Sequence, residues 1–129
     1  MNTPTNITPK HRRMFICLGN ICRSPAAEGV MKAKVHAATL DDKFFIDSAG
    51  IGDWHVGQLP DSRMRERGAR RGYRLDSRAR QIRQSDFDDF DLLLVMDREN
   101  YRIITSKAPD EESRKKVRML TDYLQEHKN

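Results

Sequence analysis

The chain has 129 residues, 33% of them charged and 37% hydrophobic, with a formal net charge of +5. That length carries one hydrophobic core rather than two, and the apolar content is too high for a disordered chain. No stretch approaches the roughly 18 apolar residues of a membrane span, and residues 1–12 hold no apolar block of a signal peptide, so no membrane partner is expected and the setting is read as cytoplasmic.

Residues 1–12, rich in Thr, Asn and Pro and without apolar periodicity, read as a disordered tail, leaving residues 13–129 as the folded domain. The apolar run 14–18 follows two arginines and stops at Gly19, the pattern of a buried parallel strand. Ser24-Pro25 then opens a helix, because serine caps well, proline is tolerated in a first turn, and Val30, Met31 and Val35 recur at helical spacing. Phe44, Phe45 and Ile46 mark a second strand over 43–47, closed by Ser48-Ala49-Gly50. Residues 53–60 form a loop with the only tryptophan, Trp54, and 60–71 a helix opened by Pro60-Asp61-Ser62 and closed by Gly72. The run 91–96, apolar on both faces, is the clearest strand. A helix over 97–107 and a weaker strand at 117–120 follow. Strands alternating with helices imply right-handed crossovers and a doubly wound parallel sheet, whose ligands sit at strand carboxyl ends near a topological switch. Gly19 and Ser48 both fall at such ends.

The two cysteines, Cys17 and Cys22, lie five apart with no histidine or third cysteine at zinc-ligand spacing. Neither a disulfide framework nor a metal site is favoured, no cofactor is expected, and a working thiol in a reducing compartment fits better. Nine arginines crowd residues 63–83 against only Glu66 and Asp76, which favours an acidic partner. With Tyr73 as the one aromatic there and no finger, helix or stacking signature, nucleic acid is not expected.

The chemistry concentrates in the loop Cys17-Leu18-Gly19-Asn20-Ile21-Cys22-Arg23-Ser24-Pro25. A phosphoryl group presents three equatorial oxygens in transfer, so its site needs donors arranged as a cup. Backbone N–H groups between Cys17 and Arg23, turned inward and continuing into a helix N-terminus, provide one. Arg23 can offer its planar fork to two phosphate oxygens. Ser24 can hydrogen-bond the Cys17 sulfur or simply cap the helix, and the two roles are compatible. Gly19 permits backbone angles other residues resist, and Asn20 tolerates left-handed conformations while bracing the loop. A lone cysteine at a strand end is usually a small buried hydrophobe. The strand before, the helix after, Gly-Asn within and Ser-Pro behind favour a nucleophile.

Those nine residues resemble the signature loop of the low-molecular-weight protein tyrosine phosphatases. Asp47-Ser48-Ala49-Gly50, Asp53-Trp54-His55-Val56-Gly57, Ala79-Arg80-Gln81-Ile82 and Met96-Asp97 occur in that family's order and approximate spacing. The resemblance implies a three-layer α/β/α sandwich around a four-stranded parallel sheet, without metal. It implies Cys17 as nucleophile, Arg23 as phosphate clamp, and Asn20 with Ser48 in a network shaping the loop. Phosphotyrosine in a protein, or a small aryl phosphate, is the implied substrate. Leu18, Trp54 and His55 would wall an aromatic slot, with ordinary packing as the rival for Trp54. Cys22 would trap an oxidised Cys17 as a disulfide.

Two departures stand out. Ser77 occupies the position where the family usually places a network histidine, and no Asp-Pro step, the family's general acid, occurs in the sequence. The sequence stops at Asn129, about where that step and a closing helix should begin, so the domain is expected to be truncated there. A phosphotyrosine-binding pseudo-enzyme is therefore the rival reading. Arsenate reduction on the same scaffold would need a further cysteine beyond Cys17 and Cys22.

Overall fold

A computed structural model describes residues 11–19, 23–53 and 55–126. Four parallel strands form one sheet in the order β2-β1-β3-β4, with helices on both faces, as the alternation of elements predicts. The strands are β1 (His11–Cys17), β2 (Phe44–Gly50), β3 (Leu92–Val95) and β4 (Val117–Met119). The helices are α1 (Arg23–Ala37), α2 (Ser62–Arg70), α3 (Asp86–Asp89), α4 (Arg98–Lys107), α5 (Glu111–Lys115) and α6 (Leu120–Glu126).

Alternation along β1 assigns the layers. Met14 and Ile16 pack with Phe87, Phe90, Leu93, Val95, Ile104 and Val117 on one face. Phe15 packs with Ile46 and Leu94 on the other, over Ala27 and Met31 of α1 and Leu120 and Tyr123 of α6. Successive strand residues point to opposite faces, so a fully apolar strand serves two cores.

The structure departs from the expectation in several places. β1 begins at His11, so His11 and Arg12 belong to the sheet rather than to a tail; residues 1–10 lie outside the described residues. The cause is side-chain stacking that charge patterning hides: His11 lies on Phe44, the Arg12 guanidinium sits 4.7 Å over the Phe45 ring, and Arg13 lies over Phe44. β2 continues through Ser48 to Gly50, because those small residues pair with Phe15, Ile16 and Cys17 of β1. The short helices α3, α5 and α6 are additions, too brief to show an apolar period.

The order 2-1-3-4 makes the sheet reverse its winding between β1 and β3. The crevice outside the carboxyl ends of those two strands is where such sheets bind ligands. Cys17 ends β1, and Met96-Asp97 follows β3 directly. Among the described residues no helix is long and apolar enough to cross a membrane.

Candidate active site

Cys17 is the last residue of β1, and only 4% of its surface is exposed. Its Sγ lies 3.0 Å from Oγ of Ser24, the second residue of α1, which is fully buried. Arg23 opens α1 with its guanidinium about half exposed, 3.4 Å from Oδ2 of Asp97. Asp97 in turn caps α4, its Oδ1 accepting from the Asn100 N–H at 2.8 Å. The cysteine, the serine and the arginine predicted from sequence thus converge at the crevice between β1 and β3.

Two hydrogen bonds hang the segment after β2 beside the loop: Ile51 N–H donates to the Cys17 carbonyl at 3.0 Å, and Gly52 N–H to that of Leu18 at 2.9 Å. The His55 ring then comes down on Gly19. A Cβ at residue 19 would sit 2.9 Å from His55 Cδ2, so any larger residue there pushes the His55 ring aside. Leu18 is 49% exposed beside it, an apolar side chain available to a ring. Asn20, Ile21, Cys22 and Trp54 lie outside the described residues, and with them the pairing of Cys22 with Cys17.

Behind the loop, Ser48 Oγ donates to Glu28 Oε1 at 2.5 Å, and both residues are 2% exposed. Lys32 Nζ donates to the other oxygen of Glu28 at 2.6 Å. Glu28 has no part in the sequence reading, because a glutamate inside a helix is ordinarily a solvated one. The available clue was its place one turn after Ser24, on the same face of α1. Ser77 is half-buried and makes no side-chain hydrogen bond among the described residues, so Lys32 rather than Ser77 completes this pair.

A second ionic cluster fixes the neighbouring strand. Arg80 bonds Asp47 of β2 and Asp86 of α3, each at 3.0 Å, and its carbonyl accepts from Gly50 N–H at 2.7 Å. Burial works against the charge of Arg80, but the hydrogen bonds and charges of Asp86 and Asp47 outweigh it and hold its pKa above the ordinary value. Among the described residues no cluster of histidine, cysteine and carboxylates is suited to a metal ion.

A cysteine closing the first strand at the switch of a doubly wound sheet, with arginine and serine opening the next helix, defines a strand–loop–helix site built around one thiol. The family model described as low molecular weight phosphotyrosine protein phosphatase matches residues 12–129, and the chain belongs to that family. A relative from Streptomyces coelicolor, a low molecular weight protein-tyrosine-phosphatase, is 44% identical over 88% of this chain and 69% of its own. The low molecular weight phosphotyrosine protein phosphatase of Sus scrofa is 40% identical over 85% of this chain and 70% of its own. A crystal structure of the protein tyrosine phosphatase from Entamoeba histolytica superposes with a TM-score of 0.84 at 44% identity, covering 88% of this chain and 72% of that one.

Proposed function

We propose that this chain hydrolyses phosphotyrosine, in proteins or as small aryl phosphates, through a phosphate ester of the Cys17 sulfur. The observation that carries this is the buried 3.0 Å contact between Cys17 Sγ and Ser24 Oγ, with Arg23 adjacent at the mouth of the crevice. A hydroxyl donated to the sulfur stabilises it as an anion, both before attack and when it leaves again. Arg23, swung from Asp97, takes two phosphoryl oxygens on its fork and meets the charge that develops on them in the transition state. Sγ attacks phosphorus in line, the bond to the tyrosine oxygen breaks, and water then displaces the sulfur. Leu18 and His55 grip the ring from its sides. Cytoplasmic placement fits a working thiol.

The rival is a protein that binds phosphotyrosine without turning it over, since a cup of backbone N–H groups and an arginine would hold the phosphate without any chemistry. Aryl phosphate hydrolysis by the chain, abolished in Cys17→Ser, supports the enzyme. Robust turnover by Cys17→Ser sinks the cysteinyl-phosphate route, and phosphate-competitive binding of phosphotyrosine without turnover establishes the rival.

A further inference from the structure

A groove of about 440 Å³ runs between α1 and α2, separate from the crevice at Cys17. Glycines create it. A Cβ at Gly29 of α1 would overlap Leu75 Cδ2, and one at Gly68 of α2 would sit 2.9 Å from Leu75 Cδ1, so Leu75 lies wedged between the two helices as the floor. Ala26 and Val30 form the α1 wall, while Arg67 and Arg71 stand on the α2 side. Ala26 is one turn from Arg23, about 4.5 Å along the helix axis, so the groove starts beside the phosphate clamp.

Charge identifies what would lie there. Arg63, Arg67 and Arg71 recur every fourth residue along α2 and its C-cap, all exposed. None of the three has a carboxylate partner among the described residues, whereas Arg70 pairs with Glu66 and Arg74 with Asp76. Four helical residues rise about 6 Å, and alternate side chains of an extended chain stand about 6.6 Å apart. A stripe of guanidinium groups at that spacing matches carboxylates at every second residue of an extended polypeptide, and the apolar floor accepts a side chain between them.

We propose that this groove docks an acidic, extended segment of the protein substrate adjoining the phosphorylated residue. The proposal rests on the phosphatase reading above and adds to it a basis for choosing among protein substrates.

The test compares two phosphotyrosine peptides, one with Asp or Glu at alternate positions on both sides of the phosphotyrosine and one with Asn or Gln in their place, alongside p-nitrophenyl phosphate. The acidic peptide is expected to have the higher kcat/KM. That preference should fall about tenfold in R63E/R67E/R71E, the scale of three exposed ion pairs acting together, while p-nitrophenyl phosphate turnover changes less than twofold. R63Q/R67Q/R71Q serves if the reversed variant does not fold. The preference of the unaltered chain should also shrink with added salt. Equal kcat/KM for the two peptides, or a preference that survives the substitutions, overturns the proposal. Fluorescence anisotropy of the unphosphorylated acidic peptide reads the groove without turnover, so loss of p-nitrophenyl phosphate hydrolysis alone indicts the phosphatase reading and not the groove. Displacement of that peptide by single-stranded RNA or by anionic phosphatidylserine vesicles at lower concentration overturns it in favour of those partners.

Discussion

Ser24 and Glu28 stand one helical turn apart on α1, and each ties the helix to a different strand, Ser24 to Cys17 of β1 and Glu28 to Ser48 of β2. The first contact bears on the atom proposed to attack phosphorus. Ser24→Ala should slow breakdown of the phosphoenzyme by about 10- to 100-fold, the range expected for a lost hydrogen bond to a charged group. Pre-steady-state mixing with an aryl phosphate should then show a burst followed by a slower steady state. An unchanged steady state would reduce Ser24 to a helix cap. Asp97 acts from the other side, holding the guanidinium of Arg23 at 3.4 Å. Asp97→Asn keeps a capping side chain on α4 and removes a negative charge beside the proposed phosphate site. Inorganic phosphate should inhibit that variant at lower concentration than the parent, and an unchanged or raised inhibition constant would contradict this.

Elements are positioned by polar contacts that sequence patterns do not display. The strand–loop–helix around Cys17 is legible because apolar run, glycine and Ser-Pro are local features, each with one structural meaning. The Ser48–Glu28 pair is not legible: its partners are twenty residues apart, and only the packing of α1 across β2 buries both. Arg80 is similar, since an arginine in an arginine-rich segment looks solvated until Asp47 and Asp86 are placed around it. Asp86 is 1% exposed, so Arg80→Met leaves a buried carboxylate without its cation, at a cost of about 3–5 kcal/mol. Urea denaturation should show that loss. A shift below about 1 kcal/mol would mean that Asp86 relaxes towards water.

At the scale of the molecule, the sheet order places β1 and β3 side by side in the centre, so the loops after them share one crevice whatever the remaining elements do. The alternation of strand and helix made a doubly wound parallel sheet readable, but not which strands lie side by side. The extra turns α3, α5 and α6 and the early start of β1 were not, because short helices lack a period and ring stacking under arginine leaves no pattern in hydropathy. Residues 1–129 contain no Asp-Pro step. For a polypeptide of these residues alone, hydrolysis rates should fall steeply as the leaving-group pKa rises across a series of aryl phosphates, as expected when no positioned acid protonates the departing oxygen. A flat series would show that another group in these residues supplies the proton.

The mechanism proposed for the crevice requires that Cys17 carry the phosphoryl group. Acid quenching within milliseconds of mixing the chain with a phosphotyrosine peptide, followed by mass spectrometry of the peptide containing residue 17, tests it directly. One phosphate on Cys17, absent from Cys17→Ser, is the predicted result. Full turnover with no phosphate on that residue at any quench time would contradict it.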